Sequence, residues 1–376
     1  MTQVLCELVQ SGVEASYVGL AYPHLYEGVP GLLPEILICP QVHSDAITDK
    51  GTLYTAQLSE NIIRAVREKY SERAEITIWG TYLFPFAHAA LIAKQALISD
   101  GYKVRLVVSP AGSDIWQLGP HLRNTAEHIL FAPEVDGRLT YTRQFAEEIN
   151  GMFGRSAEIA TIYPIMDTQR FRPVTAEEKL RRRGTLGIHP EDFVVCCHCN
   201  MRPVKRPEVV MEIARRASAE MGGRRLLLLM VGPLADLLRE AGEVSTSQYD
   251  YFEVKSTDVV SRVEDFLTVS DVELNWSAHD SFCGSLMEAM GCGLPVVSTE
   301  VVGIGPEVLA SGCGRLFHDG DISGAASFIS SLGLDEQLRS TMASNAARHA
   351  AKVFSTDTLL PKYLDILFPA TAIGCL

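Results

Sequence analysis

Along most of this chain, short apolar runs rich in β-branched residues alternate with amphipathic stretches of helix length, and no other feature constrains the fold as much. A strand buried on both faces reads as a continuous apolar run, and a helix lying over it as a stripe repeating every 3.6 residues or about that. Alternation of the two predicts parallel sheets with helices packed on both faces, an α/β class. In the first half, strands are expected near Glu14–Gly19, Glu75–Trp79, Lys103–Val108 and Arg138–Tyr141, with helices near Leu58–Lys69, Phe86–Ser99 and Thr142–Met152. In the second half the strands fall at Phe193–Cys197, Arg225–Val231, Tyr251–Val254, Val272–Asn275, Pro295–Ser298 and Gly314–Phe317, separated by helical stretches such as Pro207–Ala219.

At 376 residues the chain exceeds the size at which one core stops growing, so two domains are expected. The run Thr175-Ala-Glu-Glu-Lys-Leu-Arg-Arg-Arg-Gly opens with a capping residue and acids and closes with basic residues and Gly, the charge order that suits a helix dipole. A boundary just before it divides the chain into residues 1–174 and 175–355. The last stretch, 356–376, is expected to form a helix that packs back on the first domain. Thr2-Gln-Val-Leu-Cys-Glu-Leu-Val-Gln-Ser-Gly reads as a helix, whereas a Rossmann-like domain opens with a strand and a Gly-rich turn; that opening strand is missing from the sequence as it stands.

A formal charge of −13 argues against a general nucleic-acid or anionic-membrane binder, which needs a broad basic surface, so any anionic ligand must meet a local cluster of cations. Of the nine cysteines, Cys196, Cys197 and Cys199 lie in Phe193-Val-Val-Cys-Cys-His-Cys, which reads as a buried strand and lacks the paired spacing of a zinc site. Reduced thiols, no leader-like start and no long apolar run point to a cytoplasmic protein without a membrane span.

The richest segment is Asp280-Ser-Phe-Cys-Gly-Ser-Leu-Met-Glu-Ala-Met-Gly-Cys-Gly-Leu-Pro-Val-Val-Ser. An acid, a loop holding Gly284, a helix carrying a second acid at Glu288, and a turn into a strand suit a nucleotide-sized pocket: amides at a helix start attract phosphate and carboxylates accept bonds from sugar hydroxyls. The same residues allow a plainer account, in which Ser285 and Glu288 form a Ser-x-x-Glu capping box with no ligand. Upstream, Cys199-Asn-Met-Arg-Pro-Val-Lys-Arg-Pro follows a strand and enters a helix. Arg202 and Lys205 are thereby placed at the carboxyl edge of the sheet, where open α/β folds bind ligands, with Arg206 as a third cation. A solvated basic loop is the alternative for any one of them.

The Asp280 segment resembles the two-acid, seven-spacer motif of retaining glycosyltransferases with the GT-B fold, where it precedes a Glu-Ala-Met-x-x-Gly-x-Pro-Val-Val run. Asp280 stands where Glu is commoner, and Cys283 where Gly is usual. The Arg202–Arg206 run is similar to the Asn-Phe-Arg-x-Val-Lys-Arg of the enzymes that glycosylate malate in bacillithiol synthesis, and Ile162-Tyr-Pro-Ile-Met-Asp-Thr-Gln-Arg-Phe-Arg-Pro resembles the family's linker into its second domain. Val231-Gly-Pro and Leu274-Asn-Trp-Ser-Ala-His-Asp match its strand-end turns.

The resemblance implies two Rossmann-like domains with parallel sheets facing across a cleft, and a nucleoside diphosphate sugar as donor substrate. It implies Glu288 on the nucleotide ribose, Asp280 near the donor sugar, and the loop at Phe282, Cys283, Gly284 and Ser285 on sugar and diphosphate. Arg202 and Lys205, with Arg206 beside them, would stabilise the departing diphosphate. No metal and no cofactor is then required. In the first domain, Ser109-Pro-Ala-Gly-Ser-Asp and Tyr82-Leu-Phe-Pro-Phe-Ala resemble segments of the malate-glycosylating enzymes, with Ala111 and Phe86 where those enzymes have His. Gly112, Ser113 and Asp114 would line the acceptor side, although Asp114 equally suits a helix cap. Among the histidines, His88, His121, His128, His198 and His279 have no evident partner in sequence for work as a base.

The function expected is a metal-independent, retaining transfer of a sugar to a small soluble acceptor. The other readings are a nucleotide-sugar-binding protein without transferase activity, or a phosphorylase or epimerase on the same scaffold.

Overall fold

In the computed structural model, residues 2–13, 18–20, 37–39, 50–232, 252–257 and 260–369 are described. Residues 14–17 of the first expected strand, Pro233 and Tyr251 lie outside them. The chain divides into two compact units, one formed by Met1–Ile165 with Thr356–Leu376 and the other by Met166–Ser355. The division lies ahead of the 174/175 boundary expected from the sequence, because the linker residues are already committed to the second unit. The Met166 amide donates to Phe354 O at 2.9 Å, and Arg170 Nε meets Glu264 at 2.8 Å.

The second unit is built on one parallel sheet of six strands in the order β12-β11-β10-β7-β8-β9. These are β7 Phe193–His198, β8 Leu226–Val231, β9 Phe252–Ser256, β10 Val272–Leu274, β11 Val296–Thr299 and β12 Gly314–Phe317. Every residue of β7, β8, β10 and β11 is buried, which is why these strands read as nearly unbroken apolar runs. One face is closed by the helices Pro207–Ala219 and Ile322–Leu334, whose Val210, Ile213, Ala325 and Ile329 share a core with Phe193, Val195, Leu228 and Trp276. The helix Ala176–Thr185 starts where its charge order places it, with the Thr175 hydroxyl accepting from the Glu178 amide at 3.2 Å.

The first unit carries a parallel sheet in the order β3-β4-β5-β6, with β3 Glu75–Thr81, β4 Lys103–Ser109, β5 Gly137–Thr140 and β6 Ala160–Thr161. A separate parallel pair joins β1 Val18–Leu20 to β2 Leu37–Cys39. The opening residues form the helix Thr2–Gln10. The terminal helix Thr356–Leu367 packs in the same unit: Leu359, Tyr363 and Leu367 share a core with Val4, Leu8, Val107 and Leu139, and the Tyr363 hydroxyl donates to Tyr163 O at 3.1 Å. Thr142 caps the helix Arg143–Phe153, which Gly154 ends in the left-handed conformation.

Candidate active site

The strand order of the second unit reverses between β7 and β10, which lie side by side while their successors run outward in opposite directions. Ligands of open parallel sheets bind beyond the carboxyl ends of the strands at such a switch point. The two segments singled out in the sequence are the loops that leave these two strands.

After β7 the chain turns through Cys199–Met201 into a short turn of helix, Pro203–Lys205, and Arg206 (φ +48°) then opens the helix Pro207–Ala219. The left-handed Arg206 lets two helical segments with different axes follow one another, and its guanidinium is paired with Asp319. Beside this loop β8 ends at Val231, followed by Gly232, whose φ is +132° and where a Cβ would lie 2.1 Å from Cys199 O. Only glycine allows the strand ends to approach so closely. The loop after β10 is tied to this one by the Ala278 amide, which donates to Val204 O at 2.8 Å.

Asp280 organises the second loop. One carboxylate oxygen accepts from the amides of Phe282 (3.2 Å) and Cys283 (2.7 Å), and the other meets the Lys205 ammonium at 2.5 Å. Burial works against the charge on Lys205, but the Cys283 sulfur and the Asp280 carboxylate outweigh it and raise the Lys205 pKa. Arg202 is exposed, and among the described residues its side chain has no hydrogen-bond or ion-pair partner. Of Arg202 and Lys205, one is therefore fixed by an acid and the other left open.

Cys283, with φ +74°, precedes the helix Gly284–Gly291, and its thiol is pushed up to about 12 by burial. Gly284 is exposed at the helix start and Ser285 half-buried behind it. Ser285 is therefore inside the helix, and no side chain caps its start, so the capping box does not form. The Glu288 carboxylate instead meets His198 Nε2 at 3.2 Å. The opposite ring nitrogen of His198, Nδ1, lies 2.9 Å from Glu273 Oε1, which also accepts the His198 amide at 3.0 Å. Sequence reading missed Glu273, although a lone acid within the apolar strand Val272-Glu-Leu was a signal for it. The burial of Glu273 raises its pKa, and the neighbouring carboxylates hold His198 well above the ordinary imidazole value although burial opposes its charge.

In the first unit, Asp114 accepts from the amides of Ala111 (2.9 Å), Gly112 (2.8 Å) and Leu83 (2.8 Å), joining the loop after β4 to the turn after β3. Burial raises its pKa against those three bonds. Gly112 is buried with φ +125° and Ser113 is half-buried at the start of the one-turn helix Ser113–Trp116. Of the other histidines, His88 has its pKa lowered by burial and by His128, His279 is exposed, and the side chain of His121 lies outside the described residues.

Residues 192–335, the segment holding both loops, match the family model described as glycosyl transferases group 1. The N-acetyl-alpha-D-glucosaminyl L-malate synthase of Bacillus anthracis is 29% identical over 292 residues, which are 76% of this chain and 73% of that protein. The segment holding both loops is thus similar to the group 1 glycosyl transferases. A D-inositol 3-phosphate glycosyltransferase of Rhodococcus erythropolis is 25% identical over 300 residues, 76% of this chain but 63% of the relative, so the match spans less than two thirds of that protein. A solved structure of Anabaena Alr3699/HepE in complex with UDP and glucose aligns with a TM-score of 0.67 at 19% identity, covering 82% of this chain and 80% of that one, and shows the GT-B fold. In this chain, too, each unit carries its own parallel sheet.

Proposed function

We propose that the chain is a metal-independent, retaining glycosyltransferase that takes a sugar from a nucleoside diphosphate sugar to a small soluble acceptor. The observation that carries this reading is the meeting, at the β7/β10 switch point, of the cationic loop with the two-acid loop that begins at Asp280, its residue 75 positions beyond Lys205. Glu288 holds the ribose; its side chain is 31% exposed, which leaves it accessible to a nucleotide. Arg202 and Lys205 face the diphosphate, and Arg206 supports their loop through Asp319. Asp280 stands near the donor sugar, and the amides of Gly284 and Ser285 begin a helix suited to an anionic group.

In the transfer, the bond from the anomeric carbon to the diphosphate oxygen breaks and its electron pair leaves with the diphosphate. The acceptor oxygen bonds to that carbon on the same face and its proton passes to the departing oxygen, so configuration is retained. Two cations on the leaving group supply the charge stabilisation that a metal would otherwise give; each well-placed donor is worth a few kcal/mol, roughly 3. The relatives that glycosylate malate and inositol phosphate support a small polar acceptor.

Thermal shift against UDP, GDP, ADP and dTDP without added metal tests the donor site, because a ligand at a hundred times its Kd stabilises by about 2.7 kcal/mol. One nucleotide should stabilise selectively, and Glu288→Ala should abolish the shift. A shift that appears only with added divalent metal, or survives in Glu288→Ala, sinks the reading.

A further inference from the structure

A carboxylate in the middle of a fully buried strand is costly, and fold stability alone would favour an apolar residue there. Glu273 lies in β10 with no solvent exposure, and His198 is nine-tenths or more buried at the end of β7. One oxygen of Glu273 takes both the amide and the Nδ1 of His198; the other, Oε2, is buried without a hydrogen-bond partner. The far side of the imidazole faces Glu288, the acid assigned to the ribose. Cys196 lies in the same cluster, but 2.9 Å between Nδ1 and Oε1 is a hydrogen bond, not the wider spacing of two ligands on one ion, and burial keeps the Cys196 thiol protonated with a pKa of about 12.

We propose that His198 is a positioning residue, held by Glu273, that fixes the Glu288 carboxylate and so sets the affinity for the ribose of the donor nucleotide. The proposal rests on the reading of Glu288 as the ribose acid. Two protonation states satisfy the chain of three. With Glu273 ionised the imidazole carries both protons and donates to both acids. With Glu273 protonated its O–H donates to Nδ1 and Nε2–H still donates to Glu288. In either state Nε2 presents a donor to Glu288, so one oxygen of that carboxylate is held and the other is left for a hydroxyl. The pKa shifts agree, since His198 is raised and Glu273 is raised.

Calorimetry distinguishes this role from a structural one. UDP, GDP and ADP are titrated with their 2′,3′-dideoxy counterparts and with inorganic pyrophosphate, and the tightest nucleotide serves as the probe. Replacing His198 alone by an apolar residue strands a buried carboxylate and risks the fold, so the main variant is His198→Leu with Glu273→Leu, which leaves an apolar strand pair. It should bind the ribonucleotide on the order of tenfold more weakly, about 1.4 kcal/mol, with dideoxynucleotide and pyrophosphate affinities unchanged. His198→Gln, whose amide can still donate to Glu288, should recover most of the ribose preference. Equal losses for all three probes, or an unchanged ribose preference, overturn the proposal. If Glu288→Ala itself keeps the preference, the ribose assignment is what fails; if Glu288→Ala loses it and the Leu pair does not, His198 has no positioning role.

Discussion

The Lys205 ammonium and the Asp280 carboxylate, from loops that leave two adjacent central strands, lie 2.5 Å apart, with Lys205 largely shielded and its pKa raised. The ammonium has three donors and spends one on Asp280, so two remain for a diphosphate. The pair therefore anchors the cation rather than neutralising the site. Lys205→Ala should lower kcat on the order of a hundredfold and also lower Tm, since it leaves Asp280 without its charge partner. Asp280→Asn in the same background should restore part of the Tm and none of the activity. Steady-state kinetics beside a melting curve of each variant checks both outcomes.

Arg202 differs from Lys205 in a way that separates binding from stability. It is exposed and unpaired among the described residues, so Arg202→Ala removes no hydrogen bond or ion pair made by the side chain among them. Its Tm should stay within the change expected of a surface substitution, about 0.5 kcal/mol or less. Turnover with a nucleotide-sugar should nevertheless fall on the order of a hundredfold. Full activity in this variant would remove Arg202 from the diphosphate site.

How much of this was legible in the sequence depends on the range of the interaction. The strands β7, β8, β10 and β11 could be read because each is buried on both faces and almost wholly apolar, and the start of Pro207–Ala219 could be read because a proline opens it. The cationic and acidic loops could be found because strand ends carry ligands in this class. The triad of Glu273, His198 and Glu288 could not be found, since its members are 75 and 90 positions apart and become neighbours only through the pairing of β7 with β10. The basic end of Ala176–Thr185 fits the helix dipole, yet Arg183 donates to Val269 O, Pro190 O, Asp192 O and Asp271, a tertiary use that no local pattern encodes.

Gly232 sets how closely the end of β8 approaches the loop after β7. A Cβ there meets a backbone oxygen, which cannot rotate away as a side-chain tip would, and the φ of +132° is itself strained for any other residue. Gly232→Ala should cost more than about 2 kcal/mol, lowering Tm by several degrees. Because the displaced atoms belong to Cys199, at the root of the Arg202–Lys205 loop, nucleotide affinity should fall too. Chemical denaturation paired with nucleotide titration measures the two effects, and a variant with wild-type stability would show that the strand ends separate freely.

Asp271 lies at the opposite end of β10 from the candidate site and accepts from Lys179 Nζ at 2.7 Å, Arg183 Nη2 at 2.7 Å and the Val194 amide at 2.9 Å. Burial would raise its pKa, but the two cations and the amide outweigh burial and hold it below the ordinary value. A folded-state pKa that is depressed contributes stability above the unfolded pKa, about 3.9, and that stability is lost as pH falls through the folded value. Asp271→Asn leaves two cations facing a neutral amide and should cost about 3–5 kcal/mol at neutral pH. In the wild type the pair should protect the second unit until the pH drops below about 4, where the gap between wild type and variant closes. Urea unfolding of both proteins between neutral and acid pH tests this. A constant gap across that range would mean that Asp271 does not titrate with unfolding and that its loss acts only through packing.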